Sequence, residues 1–131
     1  MSAFICLIVI SGSLFGQSKV IDIWNGKVPG SIPNSAYKQK VDSLYWIKIR
    51  FITTPTLNVY PAPSGNNTGT AVVVCPGGAY YGLSFINEGT EIAKWLNSIG
   101  ITACVLNYRL PDDAIMKNKV IGPMQDGQQA M

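Results

Sequence analysis

Two apolar runs on either side of a helical segment are the strongest constraint on how this chain folds. Thr70 to Cys75 and Ile101 to Leu106 are continuous β-branched and apolar stretches, typical of strands buried on both faces. Pro76-Gly77-Gly78 ends the first run abruptly, and apolar residues then recur at helical spacing. A strand, a helix and a second strand predict a parallel βαβ unit with a right-handed crossover. We therefore expect an α/β fold.

The predicted helix has a distinct apolar face and recognisable ends. The apolar face would consist of Ile92, Leu96 and Ile99, with Glu88, Glu91 and Lys94 in solvent. Asn87 is a suitable N-cap, and Gly100 stands where a helix commonly ends in a left-handed turn.

Two further strands are predicted before this unit. Alternating apolar residues from Tyr45 to Ile52 and from Thr56 to Tyr60 indicate half-buried strands that form an antiparallel opening pair. Prolines at positions 55, 61 and 63 would confine the second strand to a sheet edge. We expect residues 19–34 to form an irregular lead-in that lies over the domain surface. After the βαβ unit we predict a polar loop at residues 111–122 and a helix that begins at Pro123.

Composition narrows the possible functions. The chain has 131 residues, enough for one domain, and its net charge of +3 comes from scattered basic residues, which argues against nucleic acid as a partner. It contains no histidine, the side chain that most often serves as general base, so these residues alone cannot form a Ser-His-Asp triad. Three cysteines without a CxxC pattern indicate neither a metal site nor a redox pair.

The N-terminus has the outline of a signal peptide. The apolar run from Ala3 to Ile10, followed by small residues, predicts a signal peptide over 1–16 and a mature domain over 17–131. The run is too short for stable membrane insertion as a helix, which needs about 20 apolar residues. We expect a secreted or periplasmic protein, although a buried N-terminal segment remains an alternative. After export, a disulfide between Cys75 and Cys104 is permitted but not required, and buried free thiols are the simpler interpretation.

The segment Pro76-Gly77-Gly78-Ala79-Tyr80 is the candidate ligand-binding segment of this sequence. Successive glycines let a backbone turn its N–H groups toward a ligand, and ligands of open α/β sheets bind at the carboxyl ends of strands. A tight turn without a ligand is the alternative from these residues alone. Tyr80 and Tyr81 could likewise line a pocket or pack into a core.

The segment from Thr70 to Pro111 resembles bacterial α/β-hydrolases of the carboxylesterase type: acetylxylan esterases, feruloyl-esterase-like enzymes and lipase-like esterases. Three shorter stretches agree with this family: the Trp-containing lead-in at residues 24–30, the strand at residues 56–61, and Pro123-Met124-Gln125-Asp126, which resembles the helix start before a nucleophile elbow.

This resemblance implies the N-terminal half of an α/β-hydrolase fold, with antiparallel opening strands, a parallel βαβ unit and an incomplete sheet. It also implies a serine carboxylic-ester hydrolase, such as a carbohydrate-ester deacetylase, that acts on a small-molecule or oligosaccharide ester and needs no cofactor. By matching position, Gly77, Gly78 and Ala79 would form the oxyanion loop, with Ala79 in place of the usual third glycine.

The nucleophile, acid and base of the triad are not found in these residues. Ser84 lacks the flanking pattern of an elbow serine, Cys75 lacks a base, and three acids are expected to be solvated without a role: Asp112, Asp113 and Asp126. We expect the chain alone to be inactive, and a Gly-x-Ser-x-Gly motif about 30 residues after Asp126 in a longer sequence. The alternative is a non-catalytic secreted protein that binds carbohydrate or another chain through a hydrolase-like half-fold.

Overall fold

The computed structural model describes Gly16 and residues 19–43 and 47–131. Its strands are β1 (Lys19–Asp22), β2 (Lys40–Asp42), β3 (Lys48–Arg50), β4 (Thr56–Tyr60), β5 (Ala71–Val74) and β6 (Thr102–Asn107). Its helical segments are a π-helical turn (Ile86–Thr90), α1 (Glu91–Ser98) and α2 (Gly122–Gln129). The predicted signal peptide lies almost wholly outside the described residues.

Four strands form a mixed sheet in the order β1-β4-β6-β5. Strand β4 is antiparallel to both of its neighbours, and β5 is parallel to β6, with Val73 opposite Cys104. Strands β2 and β3 form a separate antiparallel pair in which Val41 lies opposite Ile49. The mixed α/β architecture is thus confirmed, and so is the parallel βαβ unit β5-α1-β6.

The predicted opening pair is wrong in its partners. Strand β3 pairs with β2, whereas β4 lies inside the larger sheet between β1 and β6. The prolines at 55 and 61 stand just outside Thr56–Tyr60. They therefore remove no N–H group from the strand itself, and β4 can bond to neighbours on both sides. Tyr45, where the first strand was predicted to start, lies outside the described residues.

Strand β5 is less buried than its sequence predicts. Ala71 and Val72 are exposed because, among the described residues, this strand has a neighbour on one side only. A β-branched run indicates that a strand will form but not how many neighbouring strands it will have. The prediction of burial on both faces is therefore wrong for β5.

Helix α1 turns a different face to the sheet from the one predicted. Its buried residues are Ala93, Leu96 and Asn97, whereas Ile92 and Ile99 are 40% and 48% exposed. Asn97 is accommodated because its amide donates to the carbonyl oxygens of Tyr60 and Ile101, at 3.1 and 2.9 Å. A polar residue that satisfies backbone carbonyls can thus occupy the inner face.

The two ends of this helical segment differ in how well the sequence predicted them. Asn87 is not an N-cap, since it lies within the π-helical turn that precedes Glu91. Gly100 is left-handed as predicted, with a φ of +80°. A Cβ there would stand 2.0 Å from the backbone oxygen of Asn66, so the position also requires glycine sterically.

The buried apolar residues form two clusters. The first lies between α1 and the sheet and contains Tyr60, Ala93, Leu96, Ala103 and Val105. The second contains Ile52, Leu83 and Leu110. Leu83 also makes a bridge with Ile49 of β3, with backbone N–O distances of 2.8 and 3.0 Å. This bridge holds the segment after β5 against the smaller sheet.

The segment after β6 was predicted to be a polar loop, but it contains buried apolar residues. Ile115 and Met116 are buried within it, and Met116 forms a β-bridge with Ser31 of the lead-in. Helix α2 begins at Gly122 with Pro123 in its first turn, as predicted. None of the helices in the described part of the chain has the length and apolar character needed to cross a bilayer.

Candidate active site

A strained turn follows β5 at its carboxyl end. We call residues Pro76–Tyr80 the glycine turn. Gly78, Ala79 and Tyr80 have φ values of +137°, +53° and +57°, three successive residues with positive φ. A Cβ on Gly78 would lie 1.8 Å from the backbone oxygen of Gly82, so no other residue fits there without moving the chain. Left-handed conformations cost about 1–2 kcal/mol for residues with a Cβ, and such strain is concentrated at functional sites.

Hydrogen bonds from outside the glycine turn fix its first residues. The Gly77 N–H donates to Oε2 of Glu88 at 2.9 Å, and the Gly77 carbonyl accepts from the Ser84 N–H at 2.9 Å. The Tyr108 hydroxyl donates to the Pro76 carbonyl at 2.7 Å. These three bonds fix the start of the turn.

The next N–H groups of the turn are unpaired. Among the described residues, the backbone N–H groups of Gly78 and Ala79 donate to no other group. Gly78 is half-buried and Ala79 is exposed, so both N–H groups lie near the surface of the strand end. Two adjacent unpaired donors at this place can hydrogen-bond an anion.

The structure thus sorts the predicted oxyanion residues into two kinds. Gly77 has its N–H occupied by a carboxylate, whereas Gly78 and Ala79 have theirs available. In the sequence, Glu88 follows the turn at the start of the helical segment. Its contact with Gly77 depends on the fold of residues 78–87 and could not be read from spacing.

Tyr108 remains a neutral donor under ordinary conditions. Burial, together with the nearby ionisable groups of Tyr80, Cys75 and Glu88, raises the pKa of its hydroxyl to about 12. Because the phenol is protonated at neutral pH, its hydrogen bond to Pro76 is maintained there.

Both described cysteines are free thiols: Cys104 lies in β6, and Cys75 directly follows β5. Partial desolvation by neighbouring groups raises the pKa of Cys75 and of Cys104, which favours the unreactive thiol over the thiolate. The prediction of free thiols is confirmed, although Cys75 is exposed rather than buried. In the part of the chain that the structure describes, no cluster of three or more His, Cys, Asp or Glu side chains could hold a metal ion.

Asp126 was predicted to be solvated, and this is wrong. Its side chain is fully buried and accepts two parallel bonds from the Arg109 guanidinium, both at 2.9 Å. It also accepts from the Arg109 backbone N–H at 3.0 Å and from the Trp24 indole at 2.8 Å. We call Trp24, Arg109 and Asp126 the Arg109 cluster.

The Arg109 cluster joins three segments distant in sequence. The guanidinium also donates to the carbonyl oxygens of Pro29 and Gly122, at 2.9 and 3.3 Å. The lead-in, the segment after β6 and helix α2 are therefore tied to one buried ion pair. The lead-in, expected to lie over the surface, supplies the indole and a carbonyl to this core.

The other two acids lie nearer the surface. Asp112 accepts from the Tyr37 hydroxyl at 3.0 Å and from the Ala114 N–H at 2.8 Å. Asp113 pairs with Lys119, and its side chain is 75% exposed. Asp113 is thus solvated as predicted, whereas Asp112 is partly enclosed.

Comparison with known proteins gives two informative similarities. No protein-family model matches the sequence. An acetylxylan esterase of Xylanibacter ruminicola is 50% identical over 46 residues, which are 35% of this chain and 10% of that protein. The crystal structure of an acetyl ester-xyloside bifunctional hydrolase from Caldicellulosiruptor lactoaceticus matches with a TM-score of 0.55 and 26% identity. That match covers 91% of this chain and 36% of the hydrolase.

These similarities support an esterase-like family for the chain. They agree with a mixed α/β fold compatible with part of a hydrolase. The chain spans about a third of the matched hydrolase chain and a tenth of the matched esterase.

Proposed function

We propose that this chain carries the oxyanion-binding side of a carbohydrate-ester hydrolase. The observation that carries the proposal is a pair of N–H groups, those of Gly78 and Ala79, which have no partner in the described part of the chain and lie in a strained turn at the carboxyl end of β5. Donors placed where charge develops stabilise a tetrahedral intermediate without having to reorganise during the reaction.

In the proposed reaction, a serine hydroxyl attacks the ester carbonyl and a histidine takes up its proton. The carbonyl oxygen becomes an oxyanion, which accepts hydrogen bonds from Gly78 and Ala79. As the intermediate collapses, the C–O bond to the sugar breaks and the histidine gives its proton to the leaving oxygen, so that an alcohol departs and an acyl-enzyme remains, which water then hydrolyses by the same route. The serine, histidine and acid belong to the proposal as residues of the longer enzyme, so the isolated chain should not turn over.

Within this scheme Gly77 and Glu88 have a positioning role. The Glu88 carboxylate occupies the Gly77 N–H at 2.9 Å and thereby fixes the peptide that precedes the two free donors. Glu88 is exposed, so water screens its charge from an oxyanion at Gly78 and Ala79.

The two matched proteins support an acetylated sugar as substrate. One is named an acetylxylan esterase and the other an acetyl ester-xyloside hydrolase. We therefore propose that the ester cleaved is an O-acetyl group on a xylose-containing oligosaccharide. We also propose that the protein is exported, because of the apolar run at residues 3–10. Mass spectrometry of exported protein should then find an N-terminus near residue 17 rather than Met1.

A hybrid enzyme tests the proposed function. In this hybrid hydrolase, the present chain replaces the aligned part of the Caldicellulosiruptor lactoaceticus protein, which supplies the rest. We expect a folded hybrid to release acetate from acetylated xylo-oligosaccharides and to lose this activity with a serine-directed inhibitor. The isolated chain should hydrolyse nitrophenyl acetate no faster than an inert protein. A folded hybrid that releases no acetate, beside an active parent, would contradict the proposal.

A further inference from the structure

A second feature adjoins the glycine turn. A cavity of about 170 Å³ opens beside Tyr80 and Tyr81, which follow Ala79 directly. We call it the aromatic cavity and define it by Tyr37, Arg50, Phe51, Tyr80, Tyr81 and Asp112. The Tyr81 N–H donates to the Gly78 carbonyl at 3.0 Å, which folds the chain back and brings the cavity next to the proposed oxyanion donors.

Arg50 supports one wall of the aromatic cavity. Its guanidinium carbon lies 3.6 Å from the centroid of the Tyr81 ring, and its Nε donates to the Tyr81 carbonyl at 3.1 Å. The cation stacks on the ring and the hydrogen bond fixes the backbone, so two separate interactions hold Tyr81 in position. Tyr81 nevertheless remains 62% exposed, and its ring is therefore available to a ligand.

The rest of the lining includes an aromatic pair and a carboxylate. The rings of Tyr37 and Phe51 meet edge to face with centroids 5.1 Å apart, and the Tyr37 hydroxyl donates to Asp112 at 3.0 Å. Each oxygen of Asp112 accepts one protein hydrogen bond, and each has a second lone pair for a ligand hydroxyl.

Backbone strain occurs at two residues that line the aromatic cavity. Phe51 and Tyr80 each have a φ of +57°, although both are bulky residues for which this conformation is an outlier. They belong to separate segments and line the same cavity. Strain of about 1–3 kcal/mol per residue persists only where the surroundings impose it, and it marks sites of ligand contact more often than passive surface.

We propose that the aromatic cavity binds the pyranose ring whose ester is cleaved, an inference that rests on the proposed function. A pyranose has faces of C–H groups, which pack on aromatic rings, and an edge of hydroxyls, which pair with charged side chains. Tyr80 and Tyr81 supply the rings, and Arg50 and Asp112 supply the charges. A long acyl chain fits poorly, because it would desolvate both charged groups without returning a hydrogen bond.

The test is a titration of the full chain with methyl β-xyloside, followed by the backbone amide signals in NMR spectra. We expect shifts at residues of the aromatic cavity, and affinity lowered about tenfold by Tyr81→Ala and by Asp112→Asn. Trp95→Ala is the matched control, since Trp95 is 59% exposed on α1 but does not line the cavity. It should change affinity by less than about twofold.

Three results would overturn the inference. These are no shifts at the aromatic cavity, equal binding by wild type and both cavity variants with retained spectra, or preferential binding of ethyl ferulate or decanoate offered in place of the xyloside. The hybrid hydrolase separates the two proposals. Sugar binding without acetate release would contradict the proposed function alone. Acetate release with a KM that Tyr81→Ala leaves unchanged would contradict the sugar site alone.

Discussion

The Arg109 cluster and the glycine turn are both polar features that follow neighbouring strands, yet they differ in nearly every physical respect. In the cluster, Arg109 and Asp126 are 1% and 0% exposed, and the side-chain nitrogens of Arg109 and oxygens of Asp126 all have hydrogen-bond partners. In the turn, the N–H groups of Gly78 and Ala79 have no partner among the described residues, and the backbone is strained. Satisfied and buried groups hold a fold together, whereas unpaired groups in strained backbone are available to a ligand.

This contrast predicts that the two regions respond oppositely to substitution. Changes in the Arg109 cluster should alter the free energy of unfolding. Changes in the glycine turn should alter catalysis in the hybrid hydrolase with little effect on stability.

The largest effect on stability is expected for Asp126→Ala. The substitution leaves the Arg109 guanidinium buried without its carboxylate, which costs about 3–5 kcal/mol. Urea unfolding followed by circular dichroism measures the change. Asp113→Ala is the matched control, because Asp113 pairs with Lys119 at the surface and should shift stability by less than about 1 kcal/mol. A loss below about 1 kcal/mol in Asp126→Ala would show that the cluster does not hold the three segments together.

A smaller effect is expected for Tyr108→Phe. Loss of the hydrogen bond to the Pro76 carbonyl should cost about 1 kcal/mol. The change also tests the pKa of about 12 at Tyr108, against an ordinary value of 10.0. Between these values the unfolded chain loses a proton that the folded chain keeps, so folding stability falls as pH rises from about 10 to 12.

Absorbance of the phenolate measures this titration directly. Burial and the hydrogen bond to Asp112 raise the pKa of Tyr37 to about 12. Tyr37 should therefore ionise in the same late phase as Tyr108, above the pH at which ordinary tyrosines ionise. Tyr108→Phe should remove part of that phase and leave the remainder to Tyr37. An unchanged late phase would mean that Tyr108 is not among the tyrosines that ionise late.

The smallest effect is expected for Ala79→Gly. Glycine adopts the φ of +53° at this position without the cost that alanine bears, about 1 kcal/mol or more. Greater chain entropy in the unfolded state offsets part of that gain, so a net stabilisation of about 0.5 kcal/mol is expected. Thermal unfolding measures it. Destabilisation would show that Ala79 makes contacts that outweigh its strain.

How far the sequence predicts this molecule depends on how local each feature is. The βαβ unit, Gly100 and the start of α2 follow from neighbouring residues, and all were predicted. The partners of β3 and β4 depend on strands β1 and β2, whose short sequences carry little periodicity. The inner face of α1 was missed because Asn97 is polar, and its suitability depends on two carbonyls supplied by the fold.

The candidate site shows the same limit. The glycine turn was predicted from its own residues, but the contact that sets Gly77 apart spans 11 positions. The Arg109 cluster joins residues up to 102 positions apart, and nothing in local spacing indicates that Asp126 is buried. Trp24 and Asp126 both fall in stretches that resemble the esterases, which was the available signal.

The central claim is that the glycine turn donates hydrogen bonds to an oxyanion, and an amide-to-ester change tests it most directly. In the hybrid hydrolase, Ala79→lactate keeps the methyl group and replaces the N–H by an oxygen. We expect kcat to fall about 10²–10³-fold with KM little changed. Ala36→lactate, which removes an exposed N–H that bonds within its own turn, should leave kcat unaltered. A kcat for Ala79→lactate within about threefold of the unmodified hybrid would contradict the account.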